Sequence, residues 1–226
     1  LDCKPYNVEY KDVTWETCTL RAWLNDDFYK IAFTDAEQAR ILATDVVNED
    51  NPRNGTSGGN NTQDKIFLLS YEEADKYFYN DAARTAQSTG FSINNGLCAP
   101  NESAYSKNGG WWLRSPGLEQ SGAVIVDFYG YIRINYYVYY TDVGARPALW
   151  IKTVENKGDT DGSSMKPDES TESPIIPSST TKAGDVVYFG KYEQDNDLTN
   201  GKEKIAWRVL TVKNSKAFLL ADKTLD

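Results

Sequence analysis

The chain contains no histidine. That absence removes the usual general base, the commonest metal ligand and every Ser-His-Asp or Cys-His arrangement. Carboxylates and lysines remain chemically competent, but no two of them stand in a recognisable catalytic spacing, so neither an enzyme nor a bound cofactor is expected. Cysteine is scarce too. Cys3, Cys18 and Cys98 are an odd count without a Cys-x-x-Cys pair, which points to packed thiols rather than a disulfide framework or a zinc site.

Positive charge is the next shortage. Lys and Arg number 24 against 33 Asp and Glu, a net charge of -9, and a chain so acidic lacks the clustered cations that neutralise a phosphate backbone. Nucleic acid is excluded as the expected partner. No apolar run approaches the roughly 18 residues of a membrane span, so direct membrane insertion is not expected either. The opening Leu1-Asp2-Cys3-Lys4 has neither an initiator Met nor a signal-peptide pattern, so a processed or excised piece is expected.

What is present is an ordinary globular complement, 226 residues of which 40% are hydrophobic. Leu20, Trp23, Leu24, Phe28 and Ile31 recur every three or four positions and predict one buried helical face over residues 15–33. Thr34 with Glu37, and Ser70 with Glu73, form capping boxes that predict two further helices. The first would carry Ala39, Ile41 and Leu42, the second Ala74, Tyr77 and Phe78. Residues 48–64 are nearly devoid of apolar side chains and are expected to be a long surface loop. From Gly109 the period changes to two, through Val124/Val126, Ile132/Ile134 and Ala148/Trp150, and predicts three or four strands with a turn at Gly130.

Three segments follow from this reading: a main body over 1–152, a flexible linker over 153–182 with Ser, Thr, Pro and acidic residues, and a strand-rich tail over 183–226. Forty residues of strand cannot bury enough surface alone. The tail is therefore expected to complete the sheet of this or a neighbouring chain, with Val186–Phe189 beside Ala148–Lys152. Exchange between chains would give head-to-tail self-association.

The order of Trp15, Leu20-Arg21-Ala22-Trp23-Leu24-Asn25, Leu68-Leu69-Ser70, Trp111-Trp112-Leu113-Arg114-Ser115-Pro116-Gly117 and Gly144-Ala145-Arg146-Pro147-Ala148-Leu149 resembles the bacterial family called domain of unknown function 6273. The resemblance implies an α+β, C-type-lectin-like fold, related to sulfatase-modifying factors, with two or three helices beside a small twisted, mostly antiparallel sheet. It also implies a secreted or cell-surface protein. Members of the family begin with a segment like Gly184–Tyr192, so here the pieces stand in permuted order, and Leu225-Asp226 repeats Leu1-Asp2 as in a chain cut from a tandem array. The paired cysteines of formylglycine-generating relatives are missing, since Cys98 has no companion.

Within that frame Trp23, Trp111, Trp112, Arg114, Arg146 and Trp207 are expected to be structural, with one buried aromatic in the strand at 111–116. Arg114 and Arg146 suit bidentate capture of backbone carbonyls, an anion site being the sharper alternative. Asp195–Gly201 superficially resembles a calcium loop but has the wrong spacing and Ala206 at the twelfth position, so a solvated hairpin and no metal site are expected.

The candidate binding face is Phe128–Asp142. Tyr129, Tyr131, Arg133, Asn135, Tyr136, Tyr137, Tyr139, Tyr140 and Asp142 are its expected ligand-binding residues, with Ile132 and Ile134 facing inward. Tyrosine offers contact area, a hydroxyl and little entropy loss, which suits an adhesin-like site for a protein or glycan. In related lectin-fold proteins this place can be a variable region written by diversity-generating retroelements, and these residue types fit that spectrum. The alternatives are tyrosines that merely cover the core, and a structural repeat or strand-exchanged subunit of a surface stalk.

Overall fold

The computed structural model describes residues 4–97, 106–154 and 177–225. The amino-terminal part is a chain of short helices: a 3-10 turn Trp15–Thr17, α1 Thr19–Trp23, a π-helical turn Leu24–Phe28, α2 Tyr29–Ala32 and α3 Asp35–Gln38. Strands β1 Thr44–Val46 and β2 Thr62–Asp64 pair with each other. Helices α4 Tyr71–Tyr77 and α5 Asp81–Arg84, strand β3 Ala86–Ser88 and helix α6 Gly90–Asn94 come next. Strands β4 Asn108–Gly109, β5 Trp111–Pro116, β6 Gly122–Val126, β7 Ile132–Tyr137 and β8 Ala148–Lys152 follow, and β9 Val186–Tyr192, β10 Glu203–Lys213, β11 Lys216–Ala221 and β12 Lys223–Thr224 close the chain. The result is a mixed α+β fold with small helices and several mostly antiparallel sheets, where the sequence reading expected one. Among the described residues no helix is long and apolar enough to cross a membrane.

Both capping boxes form, with Thr34 Oγ1 accepting from Glu37 N and Ser70 Oγ from Glu73 N. Only the second opens a sustained helix. The first yields a single turn, after which Leu42 N donates to Trp150 O and Ile41 bridges to Ile151, so tertiary pairing overrides the local start signal. The helical face predicted over 15–33 is also reset. The π-helical turn inserts a residue between α1 and α2, so burial passes from Phe28 to Tyr29, Ala32 and Phe33, while Ile31 turns out and is 51% exposed.

The largest sheet runs β8-β11-β10-β9. The expected pairing of Val186–Phe189 with Ala148–Lys152 is corrected here, because β8 pairs with β11 and β9 stands at the opposite edge. Burial explains the order. Ala217–Ala221 is buried at every position and must be covered on both faces, whereas β9 alternates, with Val186 and Tyr188 exposed, and tolerates an edge. A tight turn at Asn214 and Ser215, both with positive φ, returns β11 along β10. The two ends of the expected linker meet, since Val154 bridges to Ser178 and its N–H donates to Pro177 O at 2.9 Å. Residues 155–176 of that linker, and Cys98 and Cys3, lie outside the described residues.

The second main sheet, β5-β6-β7, departs from period two in its first two strands, which are buried on both faces. Trp111 and Trp112 are both fully buried, correcting the expectation of one buried aromatic. Each indole finds an acceptor, Arg84 O at 3.2 Å and Lys4 O at 3.1 Å. The stretch 48–64 is a largely exposed loop as expected, but it ends in β2 and is anchored by buried polar side chains. Asn51 is buried and donates to Pro116 O at 2.7 Å, and buried Asp64 accepts from Trp15 Nε1 at 2.9 Å and Arg21 Nε at 2.7 Å. Polar side chains do the anchoring that apolar ones do elsewhere.

Candidate functional site

The tyrosine-rich segment forms β7 and its flanking turns, with β7 at the edge of its sheet. The entry turn is set by Asp127, whose Oδ1 accepts from Tyr129 N and Tyr131 N, both at 2.9 Å, and whose Oδ2 pairs with Arg133 Nε at 2.9 Å. Gly130 sits at φ +89, and a Cβ there would lie 1.8 Å from Asp81 O, so this turn requires glycine. Along β7 the alternation holds: Arg133, Asn135 and Tyr137 are exposed, and Ile132 is buried. Ile134 is half-buried, as is Tyr136, whose ring packs on Trp112 at 6.2 Å.

The exit turn concentrates the aromatics. Val138 is a fully buried plug whose N–H donates to Ser121 O at 3.1 Å and whose carbonyl accepts from Asn7 N at 2.8 Å. Around it Tyr137 and Tyr139 stack at 6.1 Å, and Tyr140 meets Tyr139 edge-on at 5.0 Å and Tyr137 at 5.6 Å. Tyr10 completes the group, edge-on to Tyr137 at 5.5 Å and to Tyr139 at 5.4 Å. Such edge and offset geometries are the favourable ones for aromatic rings. Tyr10, Tyr137 and Tyr139 remain 60%, 40% and 42% exposed. Desolvation first, then the neighbouring Tyr139 and Tyr137, hold the Tyr140 hydroxyl above its ordinary pKa.

The nine expected site residues thus divide. Tyr136, Tyr137, Tyr139 and Tyr140 form one cluster with Tyr10, while Tyr129, Tyr131 and Arg133 form a second at the other end of β7, with the Arg133 guanidinium 5.0 Å from the Tyr131 ring centre. At ~3.3 Å per residue the two ends lie about 20 Å apart along the strand. Asn135 is exposed between them, and Asp142, beyond the exit turn, keeps a buried Oδ1 without a partner. Sequence reasoning missed Tyr10, a lone tyrosine among polar neighbours more than 120 residues from its ring partners. The Asn7–Val138 and Val13–Gln120 hydrogen bonds on either side of Tyr10 bring it there.

The structural residues hold the scaffold behind this face. Arg146 is buried, donates to Ala221 O at 2.9 Å and Arg84 O at 3.3 Å, and lies 4.8 Å from the Trp111 ring centre. Burial pulls its pKa down to about 9, which still leaves it charged at neutral pH. Arg114 donates to Leu68 O at 2.8 Å and Val47 O at 3.1 Å and pairs with Glu73. Both arginines are engaged by protein acceptors, which favours the carbonyl-capturing reading over the anion site. Trp207 is buried and donates to Phe189 O at 2.6 Å, and half-buried Trp23 packs on Phe28 at 5.3 Å.

Two carboxylate groupings were invisible in the sequence. Glu49 meets Glu72 beside Arg114 and Glu73 at a cavity of about 400 Å³; burial, then the contact with Glu72, push its carboxyl up from the ordinary value. Glu193, Asp195 and Glu203 lie within 4.8 Å of one another at the 195–201 hairpin, the one such grouping among the described residues. These three are already engaged: Glu203 Oε2 accepts from Gln194 N at 2.6 Å, Glu193 Oε1 from Asn196 N at 2.8 Å, and Asp195 from Asp197 N and Asn200 Nδ2 at 2.8 Å. They cap the turn that the loop makes at Asn196.

No curated protein and no solved structure matches the chain. Residues 1–153 match the model of the family described as Domain of unknown function (DUF6273), and the chain belongs to that family.

Proposed function

We propose that the chain is a non-catalytic ligand-binding domain of C-type-lectin-like fold from a secreted or cell-surface bacterial protein, gripping a protein or glycan through the tyrosine face. One observation carries the reading: Tyr10, Tyr137 and Tyr139 stay substantially exposed although packed against each other around the buried Val138. A group held rigid before binding loses little entropy when a partner docks, and tyrosine brings both apolar area and a hydroxyl. Exposed rings packed together, rather than scattered singly, in a chain of net charge -9 are of the kind that marks interaction sites.

Under this reading the tail over 183–225 is the opening segment of a family domain in permuted order, as in a chain cut from a tandem array. What supports it is that the tail strands continue the sheet of the 1–154 body, β11 pairing with β8. Residues 129–142 would differ between repeats of the parent gene if a retroelement diversifies them. Comparison of those repeats separates a binding face from a purely structural stalk repeat, in which framework and face would vary alike. The direct test is a glycan-array and host-protein binding screen, repeated with Tyr137→Ala/Tyr139→Ala. Loss of the captured ligand by a variant that melts like the native chain supports the site, and retention within about twofold, under ~0.5 kcal/mol, places binding elsewhere.

A further inference from the structure

A second cavity, of about 860 Å³, lies where the first helices meet the β9 edge, on residues that belong neither to the tyrosine face nor to the loops around it. Its origin is local. The π-helical turn rotates Ile31 out of the core, and Gly190, at φ +73, lets β9 approach so closely that a Cβ there would lie 2.5 Å from the Phe33 ring. The walls that result are apolar, formed by Ile31, Ala32, Phe33, Ala36, Tyr188 and Phe189.

Its rim is cationic. Lys30, Arg40, Lys191, Lys202 and Lys204 line it, against the single acid Glu37. That carboxylate is already engaged, accepting from Thr34 N and Gly190 N, both at 2.9 Å. Lys30 pairs with Asp26, and Arg40 donates Nη2 to Lys152 O at 2.7 Å while its buried Nε has no partner. Lys202 donates Nζ to Ile31 O at 3.1 Å, and Lys191 and Lys204 stand directly opposite each other on β9 and β10. In a chain of net charge -9, five cations around one apolar cavity are a local reversal of sign. The volume falls within the range of sites for small organic ligands.

We infer that this cavity binds an amphipathic organic anion, its apolar body against Phe33, Ile31 and Tyr188 and its carboxylate or sulfonate head at the Lys191–Lys204 pair. Charge reversal at Lys191 puts a carboxylate where the head group would sit, so ligand affinity should fall while the fold is kept.

The probe is 8-anilinonaphthalene-1-sulfonate titrated into the full chain by fluorescence, with neutral N-phenyl-1-naphthylamine as its uncharged counterpart. The expected result is saturable one-site binding of the sulfonate that weakens at least tenfold in Lys191→Glu, a variant at an exposed position that should still melt cooperatively. Ala36→Trp, filling the cavity from an exposed position, should abolish the binding while melting cooperatively. The neutral probe should bind at least tenfold more weakly and be indifferent to Lys191→Glu. Sulfonate affinity within twofold of the native value in either variant, non-saturating binding, or equal binding of the two probes would overturn the inference.

Discussion

Phe218 of β11 stacks on Trp150 of β8, ring centroids 4.9 Å apart and planes inclined by 13°, and on its other side approaches Phe67 at 5.7 Å. The contact joins a strand near the end of the chain to the body that precedes residue 154. A body lacking β11 would expose the β8 edge and the ring faces that Phe218 covers. Phe218→Ala should therefore lower stability by about 3–5 kcal/mol, read from urea unfolding. The fragment 1–154 should lack a cooperative melt and regain one when a 177–226 peptide is added. Cooperative melting of the fragment alone would show that the tail is dispensable.

Arg146 tests whether the guanidinium is structural. Lysine at that position retains charge but cannot reach Ala221 O and Arg84 O with a planar fork, nor lie as flat beside Trp111. Arg146→Lys should cost about 2–3 kcal/mol through the buried carbonyls left unpaired. A change under ~0.5 kcal/mol would argue against the role.

Tyr10 offers an independent check of the proposed binding face, because no sequence pattern links it to Tyr137 and Tyr139. Tyr10→Ala should weaken capture of an identified ligand about tenfold, or ~1.4 kcal/mol, with stability changed by less than ~1 kcal/mol. Unchanged affinity would confine the site to the 128–142 segment.

Cys18 is buried, and desolvation pushes its thiol up to about 12. In a Cys3→Ser/Cys98→Ser background it should resist Ellman's reagent at pH 8 until the chain is unfolded in denaturant. Because the folded thiol titrates above the unfolded one, its contribution to stability is complete below about pH 9 and lost as pH rises towards 12. Rapid labelling of the folded chain would contradict its burial.

Glu49 should reveal its raised carboxyl through pH, burial being the first cause and Glu72 the second. Its folded pKa is raised, so the stability linked to its protonated form is complete below the unfolded value of 4.5 and lost as pH rises through the folded one. Glu49→Gln should stabilise the chain at pH 7 and lose that advantage near pH 4. An equal effect at both pH values would show that the Glu49 carboxyl is not held above its ordinary value.

Much of the local structure was legible in the residues themselves. The Ser70–Glu73 box begins a helix that runs to Tyr77, the Gly130 turn falls where the strand period breaks, and exposure alternates along 132–137 as the period-two pattern requires. These succeed because a cap, a positive φ and a pleat depend on residues within four or five positions of one another. The family resemblance rests on a similarly contiguous record, the Trp111–Gly117 and Gly144–Leu149 stretches.

The tertiary structure decided what such windows do not contain. Strand order put Ala217–Ala221, buried at every position, at the centre of the sheet, where β8 and β10 pair its two edges and other elements cover its faces. The docking of Tyr10 on Tyr137 and the meeting of Glu49 with Glu72 each depend on distant partners. Composition determined that this chain has no histidine chemistry and an acidic surface. Packing decided where rings, carboxylates and lysines gather against that background, because which side chains stay in water is settled only once the core has chosen its own.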